Sequence, residues 1–279
     1  RVALAPGSRV YIGPPVSDAV VFTILWACAF TAGAINSVAG GGTLLTFPAL
    51  QQVFTRQGLG VAAGVWANAT STVALMPGSI AGAFAYRAEL AACRRLVLLL
   101  LAPSLVGGAV GALLVTAFPP TVFDALIPWL ILTAALLFVI QGPLKRLTGA
   151  GEHHVPGWKT GTVVVFGQFL IAVYGGYFGA GIGILMLATL PFMGTRTIHE
   201  TNAAKTVLAA CINAVTVAVF VAQGVIHWSY ALSMAAAAIA GGYAGGRVAR
   251  RLPAAYVRLI VTIIGFGLAA YYLWKQFGA

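Results

Sequence analysis

The chain of 279 residues is 60% hydrophobic and only 8% charged, with 16 basic against 5 acidic side chains for a net charge of +11. An ordinary soluble domain is about a quarter charged, so a water-soluble surface cannot be assembled from this composition. Nor does the positive balance indicate a nucleic-acid partner: a reader of nucleic acid gathers Lys and Arg on one face or stripe, whereas here they sit in short connections between apolar runs.

Residues 1–17 hold the turn formers Pro6, Gly7, Pro14 and Pro15 and lack the compact apolar core of a cleavable signal. They read as an N-terminal extension, with the first apolar segment retained. A helix needs about 20 consecutive apolar residues to cross the bilayer core. The stretches 19–55, 57–86, 96–123, 125–144, 160–195 and 206–246 contain no Asp, Glu, Lys or Arg, and several are long enough for more than one pass. Thirty-four glycines and thirteen prolines predict that some of these helices are broken.

An internal repeat organises the chain. The run from Gly33 through Asn36, Gly40, Gly41, Gly42 and Thr43 to Pro48 is echoed by Tyr174 through Tyr177, Gly179, Gly181 and Gly183 to Pro191. Farther on, Asn68-Ala69 corresponds to Asn202-Ala203. The expected plan is therefore all-α, with repeats at 18–150 and 151–279. Each has a glycine-broken segment followed by three spans, at 62–86, 95–117 and 121–141, then 202–222, 229–248 and 254–274. Basic residues cluster at Arg87, Arg94 and Arg95, at Lys145, Arg146 and Lys159, and at Arg247, Arg250 and Arg251. The positive-inside rule places 87–95, 142–160 and 247–253 in the cytoplasm. That topology sends 18–55 in from the outside and 161–194 in from the inside, so the repeats are inverted. It also leaves Arg56 outside.

Glycine leaves helical geometry at no steric cost, and a broken helix exposes backbone N–H groups and a positive dipole end suited to an anion. Inverted repeats with discontinuous helices place their substrate where the breaks face each other. The expected substrate-binding residues are Asn36, Gly40, Gly41, Gly42 and Thr43 at the first break and Tyr177, Gly181 and Gly183 at the second. The faces Asn68, Ser71, Thr72 and Ser79, and Asn202, Lys205, Thr206 and Asn213, share helical offsets of 3, 4 and 11. All of these except Ser79 join the expected site, with Gln168 as a lesser candidate. By contrast, Gly107-xxx-Gly111 and Gly241-xxx-Gly245 read as close helix packing.

Asp18, Glu89, Asp124, Glu152 and Glu200 fall at segment ends or in loops, so no carboxylate is expected mid-membrane to bind a cation or relay protons, which argues against a cation carrier. His199 is the proton-coupling candidate because an imidazole titrates near neutrality. His199-Glu200 begins an H-E-x-x-H pattern that fails at Ala203, and His153 and His154 lack partners, so neither an enzyme nor a metal site is expected. Cys28, Cys93 and Cys211 are too widely spaced for a disulfide framework or a zinc site. No cofactor is called for. The expected partners are a small anion and the lipid bilayer, and the sequence sets no oligomeric state.

At the two glycine clusters and the Pro48 and Pro191 that follow them, the chain resembles the sulfite exporter TauE/SafE family, over about residues 20–275. That resemblance implies a permease of the bacterial inner membrane for sulfite, sulfonates, thiosulfate or related organic anions, driven by the proton gradient. A passive anion channel is the alternative, since channels use the same broken-helix physics.

Overall fold

A computed structural model describes residues 18–38, 41–85, 87–147, 158–195, 197–248 and 254–278. Within these ranges, the side chains at 18, 37, 38, 81, 82, 84, 85, 87, 88, 141–147, 158–161, 198, 245–248 and 254–258 are not described. The helices are α1 (Asp18–Val38), α2 (Thr43–Arg56), α3 (Ala63–Ala85), α4 (Arg87–Ala117) and α5 (Pro120–Leu147), then α6 (Trp158–Tyr177), α7 (Ile182–Thr189), α8 (Ile198–Gln223), α9 (Trp228–Val248) and α10 (Ala254–Phe277). Short 3-10 turns precede α3 and follow α7. No strand occurs among the described residues. The protein is an all-α polytopic membrane protein, and α1, α4, α5, α8 and α10 each hold a stretch long and apolar enough to cross a membrane.

The connection expected at 87–95 is helical instead. Arg87 begins α4, a helix of 31 residues, which at about 1.5 Å per residue exceeds the roughly 30 Å hydrocarbon core by several turns. Its first turns therefore project beyond the apolar zone, where Arg94 and Arg95 are exposed. The basic side chains of 145, 146, 159, 247, 250 and 251 lie outside the described residues, as do Gly40, His153 and His154.

Two ends can be told apart by side-chain contacts. Gln51 near the end of α2 donates to Asp124 at the start of α5 (3.3 Å), Gln57 donates to the Tyr230 hydroxyl at the start of α9 (2.7 Å), and Phe54 meets His227. One end thus gathers the finish of α2 and the α4–α5 and α8–α9 connections, and exposed Arg56 lies there too. At the other end, Cys93 of α4 packs in one cluster with Met193, Ala203 and Ala204 at the start of α8.

α1 runs alongside and parallel to α9: Phe22 meets Tyr230 with ring centroids 5.3 Å apart, and farther along Gly33 lies against the Ala238 carbonyl and Gly241 against that of Phe30. α6 runs parallel to α4 in the same manner, with Gln168 Nε2 donating to Ser104 Oγ (2.9 Å), Gly107 beside the Phe169 carbonyl and Gly176 beside that of Gly108. Because α4 finishes where α9 starts, α1 and α6 enter the molecule from opposite ends. Each turns at its break, and α2 and α7 head back toward the end of entry.

These crossings put backbone against backbone, and a methyl group has no room at either. Gln168, held by Ser104, lies at one of them. α3 lies at the centre, packed on α1, α2, α8 and α9, and its residues Ala67, Asn68, Ala69, Thr70 and Ser71 are wholly buried. This stretch of α3 is therefore surrounded by protein rather than lipid, whereas Ile80 farther along is exposed.

Gly241→Ala should lower the melting temperature measurably, because an added methyl must displace the Phe30 backbone, at about 1–3 kcal/mol for such overpacking. Gly167→Ala, where the added methyl meets open space, should leave melting unchanged or raised. Equal melting temperatures for the two variants in detergent would contradict the crossing.

Candidate functional site

The two breaks fall at the expected glycines. Gly41 has φ of 101°, and Gly179 and Gly181 have φ of 78° and 81°, a region that costs an L side chain roughly 1–2 kcal/mol. At Gly41 the ring of Phe138 also occupies the space a Cβ would need, whereas Gly181 has Leu137 and Ala134 at ordinary contact distance. Both breaks thus abut the same two turns of α5.

The broken segments also touch each other. Phe47 of α2 packs edge-on against Phe178 of the second break with centroids 5.3 Å apart, and Phe123 joins through Phe47 and Tyr177. Such pairs add about 0.5–1.5 kcal/mol beyond burial. The meeting point is therefore closed by aromatic rings.

Polar groups ring this contact. Asn68 Nδ2 donates to the Tyr177 carbonyl at 2.9 Å, and Ser71, one turn on along α3, shares a 2.6 Å hydrogen bond with Thr46 of α2. Two side chains on one helix face thereby hold one broken segment each. Asn36 Oδ1 accepts the Gly42 N–H at 2.8 Å and closes the first break. Tyr174 closes the second, its hydroxyl donating to the Ala180 carbonyl at 2.6 Å. Asn68 Oδ1 is buried without a partner, and turning the amide over would only strand the Tyr177 carbonyl.

The half-helices are unequal. α2 has 14 residues and contains the buried Pro48, while α7 has 8 and gives way to a 3-10 turn holding Pro191. Most N–H groups at the two starts are engaged: those of Leu44, Ile182 and Ile184 bond to Gly41, Gly179 and Gly181, and that of Gly42 to Asn36. Among the described residues nothing accepts the N–H of Thr43 or of Gly183. The backbone therefore offers fewer free donors than an open break would. Thr43, the first residue of α2, is half-buried.

On α8, Lys205 lies across Gly183, with its Cδ 3.5 Å from where a Cβ would stand. No carboxylate among the described residues acts on its ammonium. Asn213 donates to Ser79 at 3.2 Å and ties α8 to α3. The Thr72 and Thr206 hydroxyls are turned inward to the carbonyls of Asn68 and Asn202 (2.8 and 2.6 Å), so each is occupied within its own helix. Asn202 is half-buried in the first turns of α8. His199 is exposed one residue into α8, away from the breaks.

Sequence reasoning passed over Thr46, Tyr174 and Phe47. Thr46 and Phe47 lie within the quoted repeat, but only packing reveals that they face α3 and the other break. Nor did it find Gln51, half of whose signal was visible as an amide in an otherwise apolar run.

The model of the family described as sulfite exporter TauE/SafE matches residues 25–272. A Haemophilus influenzae protein named "Probable membrane transporter protein" is 26% identical over 260 residues, covering 92% of this chain and 96% of its own. "Probable membrane transporter protein ORF9" of a Sinorhizobium species is 29% identical over 257 residues, covering 89% and 91%. "Probable membrane transporter protein YfcA" of Escherichia coli K12 is 28% identical over 271 residues, covering 91% and 90%. No solved structure matches.

Gly181→Val tests the second break. The variant should insert and fold with melting lowered by the backbone strain, which costs an L side chain roughly 1–2 kcal/mol there. A melting temperature equal to that of the unaltered protein would show that the left-handed backbone there is dispensable.

Proposed function

From the premise that the chain belongs to the sulfite exporter TauE/SafE family and is a multi-pass membrane transporter rather than an enzyme, we propose that it is a secondary carrier of a small sulfur-containing or organic anion. The substrate is of the sulfite, sulfonate or thiosulfate class, and its passage is coupled to protons. The observation that carries this reading is the grip of α3 on both broken segments, through Asn68 on Tyr177 and Ser71 on Thr46.

Two inverted repeats, 18–150 and 151–279, supply the moving parts. Their packing partners interchange: α1 on α9 answers α6 on α4, and α3 on α9 answers α8 on α4. The glycine crossings make α1–α9 and α4–α6 two rigid bodies, with α3 and α8 between them. Rocking of one body against the other opens the Phe47–Phe178 contact to one end and then to the other. Basic residues cluster in the sequence between α5 and α6 and between α9 and α10, helices that meet the end where α4 and α8 start, which supports a cytoplasmic position for that end in a bacterial inner membrane.

The anion sits beside the start of α7. There the Gly183 N–H, the Lys205 ammonium and Asn202 supply donors and positive charge, and Thr43 contributes its N–H from the opposite break. A lysine held in the bilayer costs about 2.5–3.5 kcal/mol on insertion scales, which an anion at Gly183 offsets. His199, exposed at the start of α8, remains a proton-coupling candidate at the end where α8 begins.

A passive channel shares the broken helices but not the kinetics. In proteoliposomes the carrier reading requires saturable flux and stimulation by anion on the far side, while linear unstimulated flux would establish the channel. Lys205→Met should weaken sulfite binding about tenfold or more, equivalent to about 1.4 kcal/mol, and Lys205→Arg should retain part of it. An unchanged dissociation constant in folded Lys205→Met protein would remove the ammonium from the site.

A further inference from the structure

We propose that Asp124 is the proton-binding group of this carrier and that its protonation releases α2; the inference rests on the proton-coupled reading above. Asp124 lies four residues into α5, inside the apolar stretch Pro120–Ile140, and is half-buried. Its Oδ1 accepts from Gln51 Nε2 at 3.3 Å, and Gln51 Oε1 in turn accepts from the Tyr272 hydroxyl at 2.6 Å. Gln51 and Tyr272 are both buried. The chain Tyr272, Gln51, Asp124 therefore runs across α10, α2 and α5, and the ionised carboxylate, which can only accept, fixes which way the amide points while Tyr272 donates to its oxygen. An ionisable side chain within a membrane span marks an ion or proton path by default.

A proton fits this group better than a metal cation. Gln51 Oε1 is already engaged, which leaves a single carboxylate, whereas a hard cation gathers about six oxygens. The other charged or titratable groups described near this end are Tyr271, Tyr272 and Lys275 on α10, Arg56 at the end of α2, and His227 and Tyr230 at the α8–α9 connection, which face Phe54 and Gln57 rather than the carboxylate. Lys275 acts electrostatically on the carboxylate. Near Asp124, the described parts of α3, α4 and the 3-10 turn before α3 carry no charged side chain, and α7 carries none.

Gln51 connects this group to the breaks. It follows Phe47 by four residues, so the two share a face of α2, and Phe47 is the ring that meets Phe178. With Asp124 ionised, the Gln51 hydrogen bond is charge-assisted and holds α2 against α5. A proton taken from water onto a carboxylate oxygen converts it to a weaker neutral bond. α2 can then move, carrying Phe47 away from the second break. Release of the proton restores the latch.

Asp124→Asn keeps an acceptor for Gln51 and abolishes titration. Proteoliposomes loaded with a pH-sensitive dye would be given whichever of sulfite, sulfoacetate and thiosulfate the unaltered protein moves fastest. The expected result is proton movement with the anion in the unaltered protein, and, in Asp124→Asn, loss of at least about nine-tenths of it while anion-for-anion exchange persists. Proton movement at the unaltered ratio in Asp124→Asn would overturn the assignment and leave the coupled reading standing. Absence of proton movement in the unaltered protein with all three anions would overturn both. If Asp124→Asn does not fold, Tyr272→Phe serves. Without the hydroxyl Gln51 Oε1 loses its donor and the amide is held less firmly against the ionised carboxylate, whose stabilisation weakens, so the pH midpoint of transport should rise. A midpoint unchanged in folded Tyr272→Phe protein would also overturn the proposal.

Discussion

A bilayer offers no water to a broken helix, so each backbone group freed at a break must find its partner within the protein. This constraint explains why the most buried helix is also among the most polar. α3 carries Asn68, Thr70 and Ser71 with no exposure at all. Asn68 supplies the hydrogen that the Tyr177 carbonyl lacks, Ser71 fixes Thr46, and Thr70 accepts the His227 N–H at 3.1 Å. A leucine on that face would bury as much surface and leave the second break unsatisfied. Polar groups in a lipid-facing helix would be costly, so the same demand draws α3 to the centre.

Close crossings at Gly33 and Gly241, and at Gly107 and Gly176, follow from the central place of α3. For two broken segments to reach one helix from opposite ends, the helices that flank them must approach backbone to backbone. The close pairs that result are α1 with α9 and α6 with α4, and under the proposed carrier reading these are the two bodies that move. The aromatic contact of Phe47 with Phe178 is then a direct meeting of the two broken segments.

Much of this was legible in the residues. Absence of charge over long stretches set the helical membrane class, and duplicated glycine clusters located breaks that the backbone realises at Gly41, Gly179 and Gly181. Gly107 and Gly241 read correctly as packing glycines because a small residue every fourth position is a local signal. Other features were hidden because they depend on partners distant in sequence. Nothing local says that Thr72 and Thr206 turn their hydroxyls into their own helices, or that Gly42 spends its N–H on Asn36. The start of α4 was set too late, since the arginines at 94 and 95 look like a loop until the helix is seen to outrun the membrane. The Gln51–Asp124 contact joins residues 73 positions apart, beyond the reach of any periodicity.

The central claim is that one anion is held by both broken segments at once. In a protein lacking Cys28, Cys93 and Cys211, single cysteines at Thr43 and at Gly183 would be labelled by a small thiol reagent over a range of sulfoacetate concentrations. The account predicts that sulfoacetate protects both positions, with the same half-maximal concentration. Protection at only one of them, or at two clearly different concentrations, would contradict it.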